Sequence, residues 1–199
     1  MDVALTFDDG YKKHLDIARH LAKRGIKATF FVIAGLKEYM GKELLSPAEI
    51  KEIASLGHEI GSHTMTHIDM TKAPEDVIVR ELVESKRYLT ELVGAEVTSF
   101  AYPYGPHSDL AAKLARQIYK IARTTYIGPA EGYKLLDEHG CVVAFNLRLS
   151  NLYELAKLRA LDRLVLFTHS PSTIKLGLIL TPLRLLGVKF LTISELSWS

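Results

Sequence analysis

The sequence predicts a single α/β domain built on a parallel sheet closed into a (β/α) barrel. Two observations carry this. Short apolar, strand-like runs alternate with amphipathic helical segments along the chain, the pattern of repeated strand–helix–strand units. Residues able to do chemistry recur at the ends of those runs: Asp8 and Asp9, then His63, then Tyr102 to Gly105, then His169. A site drawn from several strand ends favours a barrel with its site on the C-terminal rim. With 199 residues the chain fits one domain with a substantial core, and no repeat, linker or low-complexity segment divides 1–199.

In order, Val3–Phe7 reads as a buried strand. A helix near Lys12–Arg24 follows, with an apolar stripe of Leu15, Ala18, Leu21 and Ala22. Gly25 ends it, and Ala28–Ile33 is a second strand. Ser46-Pro47-Ala48-Glu49 supplies a capping residue, proline at the first helical position and glutamate at the third, so a helix starts there and runs to Gly57. His58–Ser62 is the third strand. Pro74–Val93 is a long amphipathic helix, and Thr98–Ala101 a strand leading into Tyr102-Pro103-Tyr104-Gly105. Asp109–Tyr119 reads as helix and Lys120–Thr124 as a short strand. Val142–Leu147 is a strand, Leu152 to Leu161 a helix, and Leu164–Thr168 a strand ending at His169. Leu176 to Leu186, interrupted by Pro182 and Arg184, reads as packed helix, with Thr181–Leu186 the last helical piece before the strand Lys189–Ile193.

Twenty-five basic against 23 acidic residues give a net charge of +2. That balance argues against nucleic acid or an anionic membrane surface as partner. No charged leader with an apolar core precedes Val3, and no apolar run is long enough to span a bilayer, so a cytoplasmic protein is expected. Cys141 is the only cysteine, which excludes an internal disulfide and suits a reducing compartment. Gln117, Asn146 and Asn151 are the only side-chain amides, a scarcity that hints at a thermophilic source.

The chemistry concentrates in Gly57-His58-Glu59-Ile60-Gly61-Ser62-His63-Thr64-Met65-Thr66-His67. On a helical turn, His63 and His67 would share one face and converge on one point, as metal ligands must. A third ligand is available in Val3-Ala4-Leu5-Thr6-Phe7-Asp8-Asp9-Gly10, where a strand stops at two carboxylates before a glycine turn. Adjacent acids repel, a cost that a cation between them would explain. One aspartate would then bind metal and the other would be free for proton transfer.

Thr6-Phe7-Asp8-Asp9-Gly10, His63-Thr64-Met65-Thr66-His67, Tyr102-Pro103-Tyr104-Gly105 and Leu166-Phe167-Thr168-His169, in that order, resemble the motifs of the polysaccharide deacetylases, the NodB-homology proteins of carbohydrate esterase family 4. The resemblance runs from residue 3 to about residue 196. It implies a distorted, incomplete (β/α) barrel of about seven parallel strands and a metal-dependent N-deacetylase that releases acetate from an N-acetylated amino sugar or oligosaccharide. It also implies one divalent ion, zinc foremost with cobalt, nickel or manganese as alternatives, on Asp9, His63 and His67. Asp8 would be the general base, His169 the general acid, and the Tyr104 backbone N–H an oxyanion donor. Tyr102 and Tyr104 could also stack on a sugar ring, although aromatics beside proline serve just as often in packing. Further alternatives are hydrolysis of another non-peptide C–N bond in a small amide, and a carbohydrate-binding relative without turnover.

Two departures stand out. The family's arginine before the tyrosine motif is Ala101 here, in a Phe-Ala-Tyr-Pro-Tyr-Gly form known from a subgroup. The late Asp/Trp motif is not visible, the one tryptophan being Trp198, so His169 lacks an evident carboxylate partner. Arg148, closing the strand Phe145-Asn146-Leu147-Arg148, is the candidate to replace the missing guanidinium at Asp8. Of the other histidines, His14 and His20 are expected on a helix surface, His58 in a packing or capping role, His107 near the rim within reach of substrate, and His139 in a loop without chemistry.

Overall fold

The structure, a computed structural model, describes residues 1–148, 152–169, 171–185 and 187–196. The strands are β1 (Asp2–Phe7), β2 (Thr29–Val32), β3 (Glu38–Tyr39), β4 (Lys42–Glu43), β5 (Glu59–Ser62), β6 (Ser99–Ala101), β7 (Ile121–Tyr126), β8 (Val142–Asn146), β9 (Arg163–Thr168) and β10 (Lys189–Leu191). The helices are α1 (His14–Ala22), α2 (Pro47–Ser55), α3 (Glu75–Val93), α4 (Asp109–Ile118), α5 (Leu152–Lys157) and α6 (Thr173–Leu185). Seven parallel strands run in the order β1-β2-β5-β6-β7-β8-β9, and β9 pairs back to β1 from Asp2↔Arg163 to Phe7↔Thr168, which closes the barrel. β10 is an additional strand. It takes the first half of the β1 edge, Asp2 to Ala4, and β2 takes the edge from Thr6.

Side-chain alternation along the strands divides the core into two layers. Val3, Leu5 and Phe7 of β1, with Phe30, Val32, Leu164 and Leu166, face outward onto Ile17, Ala18 and Leu21 of α1 and the apolar stripes of α2 and α3. Ala4, Phe31, Ala101, Ala144, Val165 and Phe167 face inward, and Ile193 and Leu196 pack with them. Because Asp8 follows Phe7, alternation aims it inward, and Arg123, two residues after the inward Ile121, shares that interior.

Local signals explain most element ends. Ser46 and Glu49 form a reciprocal capping box at α2, with Pro47 at its first turn. Gly94, at φ 72°, ends α3 in the left-handed conformation. Three features differ from expectation. The last helix starts at Thr173, ahead of the stretch read as packed helix from Leu176, and carries Pro182 within it, while Leu186 lies outside the described residues. The hairpin β3–β4 turns on Met40 and Gly41, both at positive φ, the geometry two-residue hairpin loops require. Residues 63–67 are not helical but form a bend. No helix among the described residues is long and apolar enough to cross a membrane.

Gly61 shows how closely the interior is filled. A Cβ there would run into the Phe31 ring and the Ser99 hydroxyl. Gly61→Ala should therefore destabilise the fold by about 1–3 kcal/mol through overpacking. Urea unfolding of the variant checks this, and an unchanged midpoint would contradict the close approach.

Candidate active site

β1 ends inside the barrel mouth, and the chain then turns through Asp9 at φ 77° and Gly10 at φ 75°. This left-handed turn gives the two carboxylates different partners. Asp8 Oδ1 accepts from Arg123 Nη2, and both side chains are buried, Arg123 completely. The faces of the guanidinium lie against Phe31 (4.9 Å) and Phe167 (5.6 Å). Asp9 faces the histidines, with Oδ1 3.5 Å from His63 Nε2 and 3.4 Å from His67 Nε2. Burial alone would raise the Asp9 carboxyl, but the two imidazoles outweigh it and hold Asp9 well below the usual carboxylate range. Burial lowers His67, which keeps it in the neutral, ligating form.

These three side chains fit a divalent cation. Their ligand atoms lie within 4.8 Å of one another. Metal–ligand bonds of about 2.1 Å in a tetrahedron place neighbouring donors roughly 3.4 Å apart, and both Asp9 contacts have that spacing. His63 Nδ1 donates to the Ala101 carbonyl at 2.8 Å, leaving the lone pair on Nε2.

The bend carrying the histidines is held from outside. Thr64 and His67 both have positive φ, 67° and 60°, uncommon for such residues. Glu81 of α3, itself buried, compensates. Its Oε2 accepts from the backbone N–H groups of Met65 (2.8 Å) and Thr66 (2.9 Å), and its Oε1 accepts from the Thr66 hydroxyl (2.7 Å). Thr64 Oγ1 accepts from the His67 N–H at 2.8 Å. The two imidazoles thus converge through left-handed residues pinned to α3, not through a helical i,i+4 face.

His169 follows β9 with its side chain 56% exposed and Nε2 4.0 Å from Asp9 Oδ2. It stands on the open side of the cluster. Its carbonyl accepts from His14 Nε2. His14 is completely buried among Phe7, Tyr11 and Phe30, so the expected surface position is corrected. It belongs to the inward stripe of α1 with Ile17, Ala18 and Leu21, and that periodicity was available in the sequence.

Arg148 is not the partner of Asp8. It is exposed beyond the end of β8, where its Nε donates to Asn146 Oδ1 at 3.1 Å. Arg123 fills the role from the barrel wall. It pairs in register with Ala101, whose small side chain leaves room beside it. A charged residue at an inward position of Ile-Ala-Arg-Thr-Thr-Tyr was the signal for it. Tyr102 is also corrected as a sugar-stacking residue. Its ring is buried and stacks on His107, and its N–H donates to the Arg123 carbonyl. Tyr104, at φ 64°, is 61% exposed, with its ring 4.7 Å from His67 and its hydroxyl 3.2 Å from that of Tyr39. Tyr39, on the hairpin the sequence did not reveal, packs against His67 at 4.4 Å.

The polysaccharide deacetylase family profile matches residues 1–120. The chain belongs to the polysaccharide deacetylase family. A putative polysaccharide deacetylase of Bacillus subtilis is 32% identical over 130 residues, covering 64% of this chain and 46% of that protein. The peptidoglycan N-acetylglucosamine deacetylase of Bacillus cereus is 34% identical over 106 residues, covering 52% and 36%. The chain therefore spans less than half the length of these curated relatives. Among solved structures, a family 4 acetyl xylan esterase from Clostridium thermocellum, in complex with a cobalt ion, shares the barrel with a TM-score of 0.70. It is 21% identical, over 98% of this chain and 89% of that one.

The burial of His14 has a measurable consequence. Desolvation depresses it from 6.5 to about 4 against the opposing pull of the His169 carbonyl. In the window between those values the unfolded chain binds the proton and the folded chain does not. The stability contribution is therefore full above 6.5 and is lost as pH falls toward about 4, roughly 2 kcal/mol by about pH 5. Urea unfolding at neutral pH and at about pH 5 should show a smaller pH effect in His14→Gln than in the parent. An equal effect in both would show that His14 is not the group responsible.

Proposed function

We propose that this chain is a metal-dependent hydrolase that removes N-acetyl groups from an acetamido sugar or oligosaccharide. The observation that carries the reading is the division of the acid pair. Asp8 is bound to a buried guanidinium, and Asp9 faces two imidazoles at ligand spacing. The substrate class is supported by family membership and by the N-acetylglucosamine named for the Bacillus cereus relative.

Asp9, His63 and His67 would hold the cation, zinc first and cobalt, nickel or manganese as alternatives. When bound, such an ion supplies Lewis acidity, lowering the pKa of a water and polarising an acyl oxygen. The residues of the chain do the rest. Arg123 occupies Asp8 Oδ1, fixing the carboxylate plane and leaving Oδ2 to take a proton from the attacking water. The water oxygen bonds to the acyl carbon, and the Tyr104 backbone N–H is a donor for the oxygen that gains charge. His169, open to solvent beside Asp9, gives a proton to the sugar nitrogen as the C–N bond breaks, releasing acetate and a free amine. Tyr39 and Tyr104 present aromatic surface at the mouth, suited to a sugar ring. The lone, buried thiol of Cys141 supports a reducing, cytoplasmic setting.

Acetate release from N-acetylglucosamine oligomers tests the proposal. Activity should disappear with chelator and return with a divalent ion. Asp8→Asn should lower turnover by about 10²–10⁴-fold while leaving bound metal in place. Arg123→Lys, which keeps the charge but loses the planar fork, should also lower turnover without loss of metal. Chelator-insensitive release, or parental turnover in Asp8→Asn, would overturn the reading.

A further inference from the structure

Outside this site, a second group of ligand-type atoms converges where the segment after β6 meets the loop before β8. His107 Nδ1 donates to the Gly105 carbonyl at 3.4 Å, and its ring stacks on Tyr102 at 4.3 Å. The other ring nitrogen, Nε2, lies 3.3 Å from Asp137 Oδ2. The His107 side chain is only 7% exposed, and neither of those two atoms has a hydrogen-bond partner among the described residues. Asp137 is fixed by its other oxygen, which accepts from the N–H groups of His139 (3.0 Å) and Cys141 (2.8 Å). Cys141 is fully buried, with Sγ 3.6 Å from the Tyr102 hydroxyl. Ligand atoms of His107, Asp137 and Cys141 lie within 4.8 Å of one another.

The arrangement needs something positive at its centre. With the proton on Nδ1, a neutral His107 aims the Nε2 lone pair at a carboxylate oxygen, and two acceptors at this distance repel. A proton on Nε2 would satisfy those two atoms but would leave the thiol beside them engaged with the Tyr102 hydroxyl alone among the described residues. A cation accounts for all three donors at once, and a nitrogen, oxygen and sulfur set suits a borderline ion such as zinc or cobalt.

We propose that His107 Nε2, Asp137 Oδ2 and Cys141 Sγ form a second metal site, distinct from the Asp9–His63–His67 cluster, that takes a zinc-like divalent cation. The site is structural: through the Nδ1 bond to Gly105 it ties the Tyr102–Gly105 turn to the loop of residues 137–141. On binding, the thiol proton passes to solvent and the thiolate bonds to the ion, with no change in oxidation state. Because the ligands must shed their protons to bind the ion, binding tightens as pH rises.

Cobalt(II) titration of the full chain, stripped of metal beforehand, tests the proposal. Two kinds of site should fill, with a thiolate-to-cobalt charge-transfer band in the near ultraviolet arising from one. Cys141→Ser and His107→Gln should each lose that band and one equivalent of metal. His63→Ala should lose the other equivalent and keep the band. A parent protein that saturates with cobalt without a thiolate band, or a band that survives Cys141→Ser, would overturn the proposal and leave a proton-bridged ion pair. If Cys141→Ser fails to fold, the parent spectrum and His107→Gln decide the matter alone.

Discussion

A guanidinium with no solvent exposure sits inside the barrel, and the arrangement of the candidate site depends on it. Taking a charge out of water costs several kcal/mol even after the protein relaxes, and an attractive partner must offset most of that. Among the described residues Arg123 has one such partner, Asp8, and two aromatic faces. The neighbours follow from this requirement. Ala101 must be small beside Arg123, Gly61 must lack a Cβ so that Phe31 can lie where it does, and Asp8 is held against the guanidinium. The packing of the barrel itself thereby fixes where the Asp8 carboxylate lies.

The second constraint is in the backbone. Asp9, Thr64, His67 and Tyr104 all have positive φ, a conformation that persists only where surrounding structure enforces it. Each lies at the mouth of the barrel, and each turns a side chain or an N–H that regular strand geometry would send elsewhere. Glu81 holds the histidine bend through both its oxygens. The strain is local, and the scaffold that bears it is the sheet and the buried face of α3, which carries Glu81.

Much of this was legible in the sequence because it was local. Alternation located the strands, Ser46-Pro47-Ala48-Glu49 located a helix start, and the ordered motifs gathered Asp8, Asp9, His63, His67 and His169. What was not legible depended on register across strands. Ala101 lies beside Arg123 only because β6 pairs with β7 at that offset, whereas the sequence alone points to Arg148, a residue conspicuous at a strand end. For Tyr102 the sequence left sugar stacking and packing beside proline equally open, and its burial follows from the His107 ring and the Cys141 thiol that lie against it. His14 and Glu81 were readable in principle, as polar residues within the buried stripes of α1 and α3. The β3–β4 hairpin gave a weak signal, since Met-Gly is not a familiar turn pair, and Trp198 lies outside the described residues.

The most direct measurement is a double-mutant cycle on the buried pair, with Asp8→Asn, Arg123→Met and the combined variant followed by urea unfolding. If Arg123 is buried against the Asp8 carboxylate, each single change leaves a polar or charged group without its partner, at a cost of about 3–5 kcal/mol where a charge is stranded. The double variant should then be markedly less destabilised than the sum, with a coupling energy of roughly 1–3 kcal/mol. Losses that simply add would show that the two side chains do not depend on each other and would contradict the account.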